Sequence, residues 1–251
     1  MPPQTRLRTP FADVLDLPPP FTPVSLREAG DAFAHAISIA PEAGAGTLVH
    51  VGRFDLAEFA VVLEPDEPLR TARRAFYAGM VALHDALLVH APPEKPISID
   101  WPGTIRVDGG LIGGARLAWP KGAAETEPAP WLVFGAMIRT VAMSDQEPGL
   151  RPLGAALDEE GFDNLGAGRL VESFARHLMV AVDAWQERGF TAVAREYLPQ
   201  LAPEPGVRRD IDENGDLLVR REGGAEAERR VLIAALDAPS WRDPATGGPR
   251  L

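Results

Sequence analysis

Cysteine is absent from the 251-residue sequence. Its absence excludes disulfides, thiolate metal sites and every mechanism that carries an acyl group on an enzyme thiol. Long apolar runs are absent too, because no uncharged stretch reaches the roughly 18 residues that a membrane helix needs. The first residues carry Arg6 and Arg8 but soon meet Asp13 and Asp16 instead of an apolar secretory core. We therefore predict a cytoplasmic protein without a membrane span.

Positive charge is scarce. The chain has 25 lysines and arginines against 36 aspartates and glutamates, which gives a formal net charge of -11. Its arginines are scattered among acidic residues and form no basic stripe. Such a surface repels a phosphate backbone, so we expect no nucleic-acid partner.

Standard catalytic signatures are also missing. The sequence contains no GxSxG nucleophile elbow, no GxxxxGKS or GxxxxGKT phosphate loop and no HExxH metal pair. The histidines lie without a carboxylate at ligand spacing on a shared helix face, and they are His35, His50, His84, His90 and His177. We predict structural or surface roles for them and no metal site.

Helical periodicity is clear in three places. Ser25 can cap a helix whose apolar residues recur every four positions up to Ile37. A second amphipathic pattern covers residues 69–89, and a third covers 166–188. Gly189 then occupies the position of a left-handed C-terminal cap.

Other stretches have the composition or alternation of strands, namely residues 47–51, 59–63, 97–107, 111–119 and 131–143. Between the third and the fourth, Asp108-Gly109-Gly110 has the chemistry of a tight primed turn. This turn predicts a hairpin.

Prolines divide the chain at two places. Pro18-Pro19-Pro20 indicates an arm laid over a surface. A proline-rich linker surrounds Pro203, and Asn214-Gly215 beyond it predicts a second hairpin. The resulting prediction is an arm over 1–21, a main domain over 22–202 and a small β domain over 203–251.

Segments in chain order resemble the biotin and lipoate protein ligase family: GTLVHVGR, SIDWPGTIRVDGGLIGGARL, WLVFGAMIRT and WQERGFTAVAREYL. In that family a GTxV strand leads into an arginine- and glycine-rich loop, followed by KWPND, a turn, KxxG and GxGxN. The most specific element here is Trp101-Pro102 followed by Gly113-Gly114. GVRRDIDENGDLLVR resembles the small barrel appended to biotin ligases.

The resemblance implies an α+β fold like that of class II aminoacyl-tRNA synthetases and biotin ligases. A mixed, mostly antiparallel sheet backed by helices would precede a small all-β, SH3-like domain. The resemblance also implies acyl-adenylate chemistry, in which backbone amides and basic side chains hold the phosphates of ATP with Mg²⁺ while a lysine assists the acyl carboxylate. The acceptor would be a lysine of a lipoyl or biotinyl carrier domain.

The charged positions of this chemistry differ from the family pattern. The glycine- and arginine-rich loop retains Gly52-Arg53 and adds Asp55. Leu111 stands where KxxG has its catalytic lysine, and Arg139 stands where GxGxN has its asparagine. Loss of one preorganised donor costs roughly a hundred- to a thousandfold in rate. We therefore predict reduced or lost adenylation.

The KWPND segment differs as well. Asp100 replaces its lysine, and Gly103 and Thr104 replace the Asn-Asp pair. Adenine contacts are therefore in doubt. By resemblance, the ligand-binding residues are Gly52, Arg53, Asp100, Trp101, Gly103, Thr104, Gly113, Gly114, Ala115 and Arg139.

Two points stay open. If the alignment is shifted, Lys121 or Arg116 could supply the missing charge. Gly113-Gly114 can mark either a strand bulge or a close approach of the backbone to a bound acyl chain or nucleotide.

Three functions are compatible with these residues. The first is a divergent ligase-like protein that binds an acyl group or a carrier domain with reduced or lost adenylating activity. The second is an active ligase that uses ATP and magnesium to attach biotin- or lipoate-type acyl groups through relocated basic residues. The third is an accessory or assembly factor for a larger enzyme.

Overall fold

One mixed sheet of seven strands organises the main part of the protein. The computed structural model describes residues 15–143, 154–163, 165–224 and 226–250. The strands are β1 (Thr22–Leu26), β2 (Thr47–Val51), β3 (Leu56–Leu63), β4 (Ile97–Asp100), β5 (Thr104–Val107), β6 (Gly110–Ala118) and β7 (Leu132–Arg139). Their spatial order is β1-β2-β3-β7-β6-β5-β4. β1 pairs parallel to β2 and the other neighbours pair antiparallel, which confirms the predicted mostly antiparallel sheet.

Helices cover both faces of this sheet. They are α1 (Ala32–Ala43), α2 (Leu69–Ala72), α3 (Ala75–Leu88), α4 (Ala167–Arg188) and α5 (Phe190–Tyr197). The predicted stripe over 166–188 is confirmed as α4, and Gly189 follows it at a φ of +74°. The predicted helix over 69–89 is divided into α2 and α3.

The first face of the sheet packs against α3 and α4 through large aromatic side chains. The Phe134 ring of β7 stacks on the Phe174 ring of α4 with centroids 5.5 Å apart, and Phe59 lies 4.6 Å from Phe174. Gly79 of α3 lets the helix approach so closely that an added Cβ would lie 2.4 Å from the Phe134 ring. Rings of this size dominate the burial of a core, so this face anchors the fold.

The second face is covered by α1 along only part of its extent. Alanines at Ala32, Ala36 and Ala40 recur every four residues and bury against β2, β3 and β7. Small side chains bring the helix close to the sheet. The packing of α1 does not reach the part of the sheet that contains Leu56 of β3, Leu111 of β6 and Met137 of β7.

A second, three-stranded antiparallel sheet follows the main domain. It contains β8 (Val207–Ile211), β9 (Leu217–Arg221) and β10 (Glu228–Arg230) in the order β10-β9-β8. The hairpin predicted at Asn214-Gly215 joins β8 to β9. A short helix that the sequence reading missed comes next, α6 (Leu232–Asp237). The domain boundary near Pro203 stays a prediction.

One predicted helix start is wrong. Ser25 lies in β1, where its Oγ is 2.7 Å from His50 Nε2 of the neighbouring strand, and it caps no helix. The helix begins after Asp31, whose side chain accepts a hydrogen bond from the Ala34 N–H at 2.8 Å. Strand pairing with β2 therefore outweighs the local helical pattern.

Two predicted strand bounds are also corrected. Residues 97–107 form two strands, β4 and β5, joined by a turn at Trp101–Gly103. The strand predicted over 131–143 ends at Arg139. Among the described residues, no helix has both the length and the apolar character needed to cross a bilayer.

The predicted proline-rich arm is described from residue 15 onward, and residues 1–14 lie outside the described part. Leu15 is buried, and the Asp16 N–H donates to Glu172 of α4 at 2.8 Å. The Asp16 side chain pairs with Arg176 one turn further along the same helix.

Candidate functional site

The β2–β3 connection contains the only arginine that the sequence keeps from the family loop. Arg53 donates twice to the Asp55 carboxylate, with Nε–Oδ1 and Nη2–Oδ2 distances of 3.0 and 2.6 Å. This hydrogen-bonded arginine lowers the pKa of Asp55 below its ordinary value. The guanidinium charge is therefore neutralised within the loop. Gly52 beside it donates its N–H to the Leu26 carbonyl.

The turn between β5 and β6 has the predicted primed character, with φ of +48° at Asp108 and +83° at Gly109. Beyond it the register shifts, because Arg106 pairs with Leu111 while Ile105 pairs with Gly113. Gly113 has a φ of +155°, and a Cβ there would lie 1.9 Å from the Met137 carbonyl oxygen. The bulge interpretation therefore applies to Gly113.

Asp100 and Trp101 were predicted to bind a ligand, but they contact other parts of the protein. Asp100 pairs with Arg106 at 2.6 Å. The indole N–H of Trp101 donates to Tyr77 Oη of α3 at 3.1 Å, and that hydroxyl donates to the Gly215 carbonyl at 2.6 Å. Trp101 thus joins the main sheet to the second sheet.

Gly103 ends the same turn and packs close to α3, since a Cβ would lie 2.5 Å from the Phe76 ring. Its carbonyl accepts the Ala115 N–H at 2.9 Å. The Tyr197 hydroxyl donates a hydrogen bond of 2.7 Å to the carbonyl of Pro102, the residue before Gly103. The turn is therefore fixed next to the middle of β6.

Residues after α6 cross this part of the sheet, and we call Ser240–Arg250 the C-terminal segment. Trp241 is 1% exposed and packs with Leu56, Leu111 and Met137. Its indole N–H donates to the Ala115 carbonyl at 3.2 Å. The ring lies so close to Gly114 that a Cβ there would be 2.4 Å from Trp241 Cδ1. The sequence reading missed Trp241 entirely.

Other contacts hold the same segment over predicted site residues. The hydroxyls of Ser240 and Thr104 lie 3.0 Å apart. Arg139 Nη2 donates to the carbonyls of Pro249 and Arg250 at 2.9 and 3.3 Å, while its Nη1 donates to Ala155. Of the predicted site residues, Thr104, Gly114, Ala115 and Arg139 all contact the C-terminal segment.

A cavity of about 490 Å³ remains beside the segment. Its charged lining residues are Asp31, Arg53, Asp55, Glu58, Arg139 and Arg242. Glu58 is only 4% exposed and accepts a hydrogen bond from the Ala32 N–H at 2.9 Å. Burial raises the pKa of its carboxyl group. The cavity therefore combines acids and bases and has no uniform positive charge.

Of the two alternative cations, Arg116 lies near this cavity. Its guanidinium lies over the Phe33 ring at 4.1 Å, and its Nη2 is 4.0 Å from Asp31. Burial, followed by repulsion from Arg242, lowers the pKa of Arg116 to about 10. Lys121 lies exposed in the loop after β6, and it does not line the cavity.

No group of three or more histidine, aspartate or glutamate side chains is arranged to hold a metal ion within the described ranges. The residues that the sequence missed, Glu58, Ser240, Trp241 and Arg242, come from two distant regions of the chain. Two signals could have indicated them: Trp241 is the single tryptophan of the polar stretch that follows α6, and Glu58 is the single charged residue of the apolar strand β3.

Solved structures of biotin protein ligases share this architecture. A biotin protein ligase-like protein of unknown function from Silicibacter sp. tm1040 is 27% identical, with a TM-score of 0.76, over 89% of this chain and 99% of that one. Biotin protein ligase from Aquifex aeolicus, solved in complex with biotin and ATP, is 13% identical, with a TM-score of 0.59, over 83% of this chain and 98% of that one. The latter likeness shows the fold alone.

Sequence comparison gives the same result. The Paracoccus denitrificans biotin--[acetyl-CoA-carboxylase] ligase is 26% identical over 202 residues, which cover 70% of this chain and 76% of that protein. The sequence model of the Biotin/lipoate A/B protein ligase family matches residues 17–199, most of the chain. With the mixed sheet, the primed hairpin and the order of motifs, this match shows that the chain belongs to the biotin/lipoate A/B protein ligase family.

Proposed function

We propose that this protein binds an acyl group, or the carrier domain that bears one, and that its adenylating activity is reduced or lost. The observation that carries the proposal is the charge pattern of the site. Leu111 packs in an apolar cluster where the family has a lysine, and Arg53 is paired with Asp55. Adenylation needs preorganised positive charge on the phosphates, and these positions supply little of it.

ATP does not fit the residues that line the cavity. Asp55 and Glu58 face the same space as Arg53 and Arg139. With the C-terminal segment in place, Arg139 donates to the backbone carbonyls of Ala155, Pro249 and Arg250. A triphosphate would meet two carboxylates and two engaged arginines. We therefore derive no reaction step through ATP or a magnesium ion.

An acyl group suits the neighbouring surface better. Under the Trp241 ring, Leu56, Leu111 and Met137 form an apolar floor, and the Ala115 carbonyl that accepts the Trp241 N–H could accept from a ligand that replaces the ring. Pockets for small molecules combine an apolar lining with a few such polar groups. The name of the Paracoccus relative joins biotin to acetyl-CoA carboxylase, so we take biotin and a carboxylase carrier domain as the first acyl group and the first acceptor to test.

Pyrophosphate release tests the proposal. The protein is incubated with ATP, Mg²⁺ and biotin, lipoate or octanoate, and adenylate is sought by mass spectrometry, with the Aquifex ligase as the positive control. We expect turnover at least about a hundredfold below that ligase, since several donors are replaced. Calorimetry with the same acyl groups and with a carrier domain should detect binding. Turnover that matches the control would contradict the proposal.

A second candidate, an active ligase with relocated charge, is favoured by one observation. The Arg116 guanidinium sits next to the cavity, and its nearest carboxylate, on Asp31, is 4.0 Å away. If this arginine contacts the nucleotide, Arg116→Gln should abolish pyrophosphate release while Lys121→Gln leaves it unchanged. Equal activity of both variants would exclude this candidate.

A further inference from the structure

We infer that the C-terminal segment is an internal occupant of the ligand site and that Trp241 must leave before a small molecule can bind there. This inference rests on the proposed binding function. It assigns the segment a regulatory role, since the docked and released forms of one chain would differ in their affinity for ligand.

The C-terminal segment contacts residues that were predicted to bind the ligand. The segment reaches the site through Ser240 and Trp241, and its far end lies against Arg139. The indole uses the acceptor of Ala115 and covers the backbone of Gly114, the position where the family resemblance predicted a bound acyl chain or nucleotide. The ring and a ligand would need the same space.

The way in which the segment is held also favours its release. Its backbone forms its own turn, with hydrogen bonds from Asp243 N to Gly248 O, from Gly247 N to Asp243 O and from Arg250 N to Trp241 O. It supplies no strand to the seven-stranded sheet. The segment can therefore detach as a unit without breaking a ladder of that sheet. Irregular segments joined by few direct contacts open at lower free energy than core strands.

The positive charges around the docked segment also favour its release. Docking the segment places Arg242 in the cavity that Arg53 and Arg139 also line, and next to the partly buried Arg116. Like charges brought together away from water repel each other. Release of the segment removes Arg242 and so relieves this repulsion. A ligand with an apolar body, an N–H donor and a carboxylate could then replace Trp241 at Ala115, with its carboxylate directed at the arginines that remain. Free biotin has all three features and serves as the probe.

Fluorine NMR of the full chain tests the inference directly. The protein has five tryptophans, so labelling with 5-fluorotryptophan gives five resonances. Trp241→Phe assigns the resonance of Trp241 by its disappearance. Saturating biotin should move this resonance towards the position of an exposed indole, whereas that of Trp119, which lies under Arg73, should stay in place.

Calorimetry on variants measures how Trp241 affects the affinity for biotin. If the docked form prevails in the wild type, a variant that cannot dock has a larger fraction of molecules that are ready to bind. Trp241→Ala should therefore bind biotin about tenfold more tightly or better. Trp119→Ala is the matched control and should bind like the wild type. Trp241→Phe keeps an apolar ring but loses the N–H, so its gain should be smaller, about two- to tenfold. This milder variant decides the question if Trp241→Ala does not fold.

Three outcomes would overturn the inference: biotin binding without movement of the Trp241 resonance, equal affinity in the wild type and a folded Trp241 variant, or no binding by a folded Trp241 variant. The proposed function fails separately. Pyrophosphate release at the rate of an active ligase would contradict it, yet displacement of Trp241 would still be visible in the fluorine spectrum.

Discussion

The two faces of the seven-stranded sheet are covered in different ways. On the first face, α3 and α4 bury rings such as Phe134 and Phe174 under regular helices. The second face has α1 over one part and, over the other, the C-terminal segment, whose single large ring is Trp241. Regular helices hold the core in one arrangement. Release of the irregular C-terminal segment would expose the sheet beneath it.

Buried charged side chains occur in two settings. Glu58, Arg116 and Arg139 are all largely buried and belong to the second face, whereas Arg73, between α2 and α3, is buried and pairs with Glu125. Buried charge is costly unless it is paired or serves a ligand, so it accumulates where binding takes place. The proposed site therefore lies where packing is least regular and where several charged side chains are buried.

The largest expected effect is on the first face. Phe134→Ala removes a fully buried ring between α3 and α4, so the free energy of unfolding should fall by about 3–5 kcal/mol. Trp241→Ala should cost clearly less, because the loss cannot exceed the free energy that holds the segment in place. Urea denaturation measures both. The exposed Phe54 offers Phe54→Ala as a control with little change, and equal losses for Phe134 and Trp241 would remove the contrast between the faces.

Two glycines sharpen the comparison. A Cβ on Gly79 would lie 2.4 Å from the Phe134 ring, and one on Gly135 would lie 2.4 Å from the Phe33 ring. Phe134 is fully buried, whereas Phe33 is half-buried on the second face and has room to move. Gly79→Ala should therefore destabilise the protein by about 1–3 kcal/mol through overpacking, and Gly135→Ala by less. Thermal denaturation of the pair would reveal a reversed order, with Gly168→Ala in the first turn of α4 as the reference, since a Cβ there would lie at an ordinary contact distance of 3.4 Å from Leu15.

Local patterns predicted much of the first face. The apolar stripe of α4 and its cap at Gly189 depend on residues three or four apart, and the Asp108-Gly109 turn depends on two adjacent residues. The helix predicted from Ser25 failed because β1 forms by pairing with β2, whose partner residues lie 25 positions further along the chain. Pairing between such distant segments is not visible in a local sequence pattern.

The site was less predictable for the same reason. Motif order indicated Thr104, Gly114, Ala115 and Arg139, and these residues do converge in space. Their contact with Trp241 joins positions 126 apart in the case of Ala115. Contacts at that separation are decided by tertiary packing, which periodicity cannot report. The resemblance also assigned Asp100 and Trp101 to the ligand site, and in the structure they contact Arg106 and Tyr77.

A smaller effect is expected at the Arg53–Asp55 pair. The side chains are 33% and 21% exposed, so solvent screens the interaction. Arg53→Ala should cost at most about 1 kcal/mol of stability in urea denaturation. If Arg53 only neutralises Asp55, biotin affinity measured by calorimetry should stay the same. A loss of affinity in this variant, with Arg70→Ala on the exposed side of α2 as the control, would show that the arginine touches the ligand.

The smallest effect concerns the pH dependence that Glu58 gives to the second face. Burial raises the pKa of this carboxyl group above its ordinary 4.5, so the native state keeps the proton at pH values where the unfolded chain has lost it. This group therefore makes stability fall as the pH rises from 4.5 through the native pKa. Glu58→Gln keeps an acceptor for the Ala32 N–H and should flatten that part of the profile in urea titrations.

The matched variant for this measurement is Glu42→Gln, which changes an exposed carboxylate of α1 in the same way. Its profile should follow the wild type, because its side chain stays in water in both states. If Glu58→Gln also follows the wild type, the Glu58 carboxylate is solvated in solution. Its burial depends on the C-terminal segment and α1 closing the cavity, so that result would mean that this part of the second face is open for much of the time.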